Sequence, residues 1–128
     1  MRLVDTDVLI AHLRGAASAR DWLRTSRVDG PLAISVVTVA EITGGMRTHE
    51  RKDVHLLLSA FRTEPVTEVV AHRAGELMRE YRRSHSGIGI ADYLIAATAD
   101  TRGLELATLN VRHYPMFADL VPPFRSTR

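Results

Sequence analysis

The chain has 128 residues, 45% of them hydrophobic, which is enough for one compact core and too few for two. Seventeen basic residues against fifteen acidic ones give a net charge of +2, which permits a polyanionic partner without requiring one, and the absence of cysteine excludes disulfides and thiolate-held metals. No apolar run approaches the ~20 residues of a membrane span, and Asp5 and Asp7 cut the N-terminal apolar stretch where a secretory signal would be continuous, so a single cytoplasmic domain over 1–128 with no membrane contact is expected.

In chain order, residues 2–5 read as a short strand passing directly into a helix over 6–13, with Gly15 closing it. A second helix is expected over about 17–27, then a turn at 29–31 and a brief buried strand, LAIS, at 32–35. Ser35 is placed to cap the helix VVTVAEITGGM, which Gly44 and Gly45 weaken or end. Val54, Leu57, Leu58 and Phe61 follow the spacing of an amphipathic helix, and a short strand or extended link is expected to begin at Pro65 and Val66. Val70, Ala74, Leu77, Met78 and Tyr81 form a further helical stripe that runs into the loop SHSGIG. The helix IADYLIAATADTRG stops at Gly103, the strand LELATLN follows, and the tail holds a turn around HYPMF and an extended piece near LVPPF.

Strands alternating with helices imply parallel strands joined by crossovers, so the expected fold is α/β: a three-layer α/β/α sandwich around a mainly parallel sheet. Ligands of such sheets bind beyond the carboxyl ends of the strands. Asp5 and Asn110 stand at such ends, and the helices that carry Glu41 and Asp92 open from a strand end and from a glycine-bearing loop.

Each acid has a structural explanation available. Asp5 or Asp7 can be a simple helix N-cap, and Glu41 can sit on a solvated helix face. Against this, Val37, Val39, Ala40 and Ile42 around Glu41 leave little room for a solvated face, and Ile90, Ala91, Tyr93, Leu94 and Ile95 crowd Asp92 in the same way. No arginine or lysine lies in these stretches except Arg2, which strand alternation points away from Asp5. Converging carboxylates repel unless a cation sits among them, and oxygen-only ligands suit Mg²⁺ or Mn²⁺. The six histidines are scattered, with no metal-binding spacing, and read as surface or satisfied residues.

DTDVLI, SVVTVAEI, IADYLIAATA and LATLNVRHYPMF occur in an order and spacing that resemble PIN-domain ribonucleases, most of all the VapC-type toxins of bacterial toxin–antitoxin pairs. The resemblance spans the whole chain. It implies a metal-dependent endoribonuclease that cuts RNA with Mg²⁺ or Mn²⁺, forms a homodimer and is inhibited by a small cognate antitoxin protein. It marks Asp5, Glu41 and Asp92 as the acidic metal-binding residues, Thr6 and Asp7 as the polar positions after the first acid, and Thr108 and Asn110 as the C-terminal polar pair. Many members carry a fourth acid where this chain has Asn110, with Asp7 the nearest acid to compensate. Asp5 and Asp92 are expected to ligate the metal directly, with Glu41 acting through water, and Arg47, Arg82, Arg83 and Arg112 to hold the RNA backbone. Two rival readings carry their own tests. DTDVL also resembles the opening of haloacid-dehalogenase phosphatases, which would release phosphate from small esters. A non-catalytic PIN-like module would bind RNA or a partner without cutting.

Overall fold

Strand β1 (Arg2–Val4) is three residues long because Asp5 leaves the ladder and caps the next helix, its Oδ1 accepting from the Thr6 amide at 2.8 Å. The computed structural model describes residues 1–125. After β1 come α1 (Thr6–Leu13), α2 (Ala17–Val28), β2 (Leu32–Ser35), α3 (Val36–Gly45), α4 (Arg51–Ser59), β3 (Arg62–Glu64), α5 (Glu68–Tyr81), α6 (Ile90–Arg102) and β4 (Glu105–Ala107). Short 3-10 turns stand at Thr48–Glu50 and Val111–His113. Ser35 Oγ accepts from the Val37 amide at 3.0 Å, the expected cap of α3. Gly103 adopts φ 65, the left-handed conformation that lets α6 end without a Cβ clash.

The four strands are all parallel in the order β3-β2-β1-β4, and helices cover both faces. Alternation along β1 sends Leu3 to one face and Val4 to the other. Leu3 packs with Ala33, Val70, Ala74, Leu77, Ile95 and Leu106 beneath α5 and α6. Val4 packs with Val8, Leu9, Leu23, Ile34, Ile42 and Val54 beneath α1 to α4. Each fully buried aliphatic side chain contributes about 1.5–3 kcal/mol of transfer free energy, so the two layers hold the sheet rigid between them. The three-layer α/β/α class expected from the sequence is the fold observed. Among the described residues no helix is long and apolar enough to cross a membrane.

Two strand assignments move. β3 lies upstream of Pro65, not at it: a proline has no N–H to give the ladder, so pairing ends at Glu64, and residues 65–67 form the extended link to the Thr67 cap of α5. The polar sequence RTE gave no strand signal because β3 is an edge strand whose buried Glu64 is neutralised by arginines. The last strand is also shorter than LELATLN. It ends at Ala107, and residues 108–110 turn out of the sheet. Arg2 lies on the far side of β1 from Asp5, its guanidinium 6.0 Å from the centre of the half-buried Trp22 ring.

Candidate active site

Strands β2 and β3 extend the sheet on one side of β1 and β4 on the other, so the direction in which successive parallel strands are added reverses between β1 and β4. That switch point opens a crevice at the carboxyl ends, where ligands of parallel sheets bind. The ends of both strands are held together there, with the amide of Asp5, just past β1, donating to the carbonyl of Ala107, the last residue of β4, at 2.9 Å.

Asp5 is 5% exposed, and both of its oxygens are engaged. Oδ1 caps α1, while Oδ2 accepts from Thr108 Oγ1 at 2.7 Å and from the Tyr114 hydroxyl at 3.0 Å. Both the capping role and the place in the crevice therefore belong to one side chain. Thr108 Oγ1 also lies 3.2 Å from Asp7 Oδ2, which takes the Leu109 amide at 3.1 Å, and it accepts from the Asn110 amide at 3.0 Å. Asp7 Oδ1 is buried with no partner. Burial first, and the neighbouring Asp7 second, push the Asp5 carboxyl up to about 6, outweighing its three hydrogen bonds. Burial raises Asp7 as well.

Asp92 sits in the first turn of α6, where Oδ2 accepts from the Gly89 amide at 3.3 Å and faces Nδ1 of His113 at 3.0 Å. Its Oδ1 lies 3.4 Å from the Tyr114 hydroxyl, so one hydroxyl reaches both Asp5 and Asp92. Glu41 is placed differently. It is exposed, and its Oε1 accepts from Thr6 Oγ1 at 2.7 Å. Since Thr6 spends its one proton on Glu41, Thr38 must donate to Thr6 across their 2.9 Å contact. The solvated face that the sequence hid is real: Val36, Ala40, Glu41, Thr43 and Gly44 are all exposed on α3.

Asp5 and Asp92 thus meet at one atom, and Glu41 joins them through Thr6 at the rim. Among the described residues no three acidic or imidazole groups stand close enough to enclose a metal ion together. Nor does any arginine or lysine among them pair with Asp5, Asp7, Glu41 or Asp92. Two convergent carboxylates, a neighbouring orphaned carboxylate oxygen and uncompensated charge fit a hard divalent cation of the kind held by one or two acids, waters and substrate phosphate. Asp100 is excluded from this group, being paired with Arg73 at 2.7 Å. Asn110 is exposed beside Asp7, and Arg47, Arg82, Arg83 and Arg112 are exposed without closing on the carboxylates.

Tyr114, His113 and Thr38 were not among the residues singled out by sequence. HYPMF reads as a turn, and nothing in its local pattern shows that a tyrosine 1% exposed would direct its hydroxyl at an acid 109 residues away.

This arrangement defines a PIN domain: the family model of the PIN domain matches residues 2–116, and the chain belongs to that family. It is 67% identical over 124 residues to Ribonuclease VapC10 of Mycobacterium tuberculosis, covering 97% of this chain and 93% of the relative. Ribonuclease VapC19 of the same organism is 42% identical over 125 residues, covering 97% of this chain and all of the relative (100%). Among solved structures, a toxin–antitoxin complex from Klebsiella pneumoniae superposes with a TM-score of 0.81 at 28% identity, covering 98% of this chain and 100% of that one.

Proposed function

We propose that the chain acts as one PIN domain over 1–128 and is a divalent-metal-dependent endoribonuclease, the toxin of a toxin–antitoxin pair. The observation that carries this reading is the convergence of buried Asp5 and half-buried Asp92 on one hydroxyl, with no arginine or lysine among the described residues to balance them. The 67% identity to a ribonuclease over nearly the full chain supports it. Asp5 and Asp92 would hold the cation, Mg²⁺ or Mn²⁺, which supplies charge neutralisation for a phosphodiester and a water of lowered pKa. Glu41 is exposed and has Oε1 anchored by Thr6, and its other oxygen would accept a hydrogen bond from the attacking water. Thr108 fixes Asp5 against Asp7 and, by accepting from the Asn110 amide, fixes the chain that presents the Asn110 side chain. The exposed guanidinium groups of Arg47, Arg82, Arg83 and Arg112 are free for RNA phosphates.

A groove of about 510 Å³ beside Glu41, lined by Ile10, Leu13 and Met46 and by Arg14, Arg47 and Glu50, offers an antitoxin segment a mixed apolar and charged seat next to the acids. A basic side chain of that segment would replace the cation among them. The match of residues 2–116 to the PIN domain disfavours the phosphatase reading.

The test is RNA cleavage by purified protein across Mg²⁺ and Mn²⁺ titrations, with EDTA and a small phosphate ester as controls. Metal-dependent RNA cuts without ester hydrolysis are expected. RNA binding without cutting at any metal concentration would leave the non-catalytic module standing. Antitoxin affinity should fall as Mg²⁺ rises, and affinity unchanged by saturating Mg²⁺ and by Glu41→Gln would refute the basic-side-chain model.

A further inference from the structure

The turn after β4 lays two consecutive side chains on Asp92. His113 Nδ1 meets Oδ2 at 3.0 Å, and the Tyr114 hydroxyl meets Oδ1 at 3.4 Å while lying 3.0 Å from Asp5 Oδ2. Each Asp92 oxygen therefore faces a different residue, and the single Tyr114 hydroxyl proton lies between the two acids, nearer Asp5. Both contacts are stiff. Tyr114 is 1% exposed, and its ring stacks on Phe117 with centroids 6.4 Å apart and planes 25° apart, against the layer covered by α5 and α6. Its neighbour is pinned from the backbone as well, since the His113 amide donates to the Asn110 carbonyl at 3.1 Å. An ionised carboxylate only accepts hydrogen bonds, so the contact assigns the His113 proton to Nδ1.

We propose that His113 and Tyr114 are positioning residues that set the separation and orientation of Asp5 and Asp92, assembling the pair before cation or RNA arrives. The inference rests on Asp5 and Asp92 being the metal ligands. Outer-shell partners of this kind fix ligand rotamers that would otherwise be ordered at the expense of binding energy. Without the hydroxyl, two carboxylates that repel would share no donor, and Asp92 would keep only one side-chain restraint.

The test uses Mn²⁺ alone, titrated into the full chain without RNA, with free Mn²⁺ read by electron paramagnetic resonance. Tyr114→Phe keeps the ring and removes one oxygen. It and His113→Ala should weaken Mn²⁺ binding by roughly tenfold or more, the usual cost of an outer-shell partner. His113→Asn places an amide nitrogen where Nδ1 stood and should stay within about threefold of wild type, whereas His113→Gln, whose nitrogen reaches the Nε2 position, should behave like His113→Ala. At saturating Mn²⁺, His113→Asn should cleave RNA at close to the wild-type rate. Unchanged Mn²⁺ affinity in both Tyr114→Phe and His113→Ala would overturn the proposal, even if their melting temperatures fell, because that is the signature of a purely structural role. His113→Asn that binds Mn²⁺ normally but cannot cleave would also overturn it, assigning the imidazole a chemical step. Should Tyr114→Phe fail to fold, the three His113 variants carry the test alone. Wild-type protein that binds no Mn²⁺ would remove the metal reading itself, a result distinct from variants that match a binding wild type.

Discussion

Asp5 and Glu64 are both buried carboxylates at the carboxyl ends of parallel strands, 5% and 3% exposed, and the protein treats them in opposite ways. Glu64 closes β3 between two guanidinium groups, Arg62 Nε at 2.8 Å and Arg102 Nε at 2.9 Å, one on each oxygen. Its charge is balanced within the chain. Asp5 receives hydroxyl and amide donors only, faces a second acid, and carries a carboxyl raised to about 6. A fold that can supply two arginines to an edge-strand glutamate withholds them from the central crevice, where a guanidinium would occupy the seat of a cation or a phosphate. The contrast separates a carboxylate that stabilises structure from one kept unbalanced for chemistry.

The largest expected effect comes from removing that unbalanced charge. Asp5→Asn or Asp92→Asn should lower RNA cleavage by at least about a hundredfold and abolish the rise in melting temperature on adding Mg²⁺, because metal binds the folded site and not the unfolded chain. Asp5→Asn that cuts RNA at the wild-type rate with the wild-type metal dependence would break the comparison at its centre.

Next in size is a pH effect. The native Asp5 carboxyl titrates near 6 and the unfolded one near 3.8, so between these values the native state binds more protons. Metal-free stability should therefore fall as pH rises through that window, by about 3 kcal/mol in all, and stay low above it. Asp5→Asn should reduce the slope, leaving the part that Asp7 carries, and saturating Mg²⁺ should reduce it at the upper end. Urea unfolding at intervals from pH 4 to 7 measures this, and a wild-type slope identical to that of Asp5→Asn would refute it.

Glu64→Gln should do the reverse of Asp5→Asn. It leaves two half-exposed arginines facing a neutral group, costs about 1–3 kcal/mol in urea unfolding, and leaves the metal response intact in protein that is still folded. Loss of Mg²⁺ stabilisation in this variant would show that the two carboxylates are coupled. The smallest effect belongs to Asn110. Asn110→Asp should tighten apparent metal binding several-fold and leave cleavage intact or faster, whereas Asn110→Ala should slow cleavage less than Asp92→Asn does. Metal titrations of the cleavage rate rank the three, and a dead Asn110→Asp protein would show that the site uses the N–H donors of the amide.

The sequence by itself determined the helices, the alternation that makes the sheet parallel, and the two aspartates whose apolar surroundings mark them as anomalous. These follow from burial, which each residue records in the spacing of its near neighbours, as the stripe from Val70 to Tyr81 does for α5. It determined the caps of α3 and α6, because a cap is settled within a few residues, and for α1 it narrowed the cap to Asp5 or Asp7. Only the tertiary structure decided the strand order that puts the crevice between β1 and β4, the exposure of Glu41 on an α3 face that sequence takes for buried, and the arginines from β3 and α6 that neutralise Glu64. It also decided that Tyr114 and His113, in what reads as a plain turn, hold the two aspartates. Those contacts join residues 21 to 109 positions apart, and no local period encodes them. They exist because crossovers return distant strand ends to the carboxyl end of the sheet, where a hydroxyl and an imidazole find carboxylates that no arginine or lysine pairs.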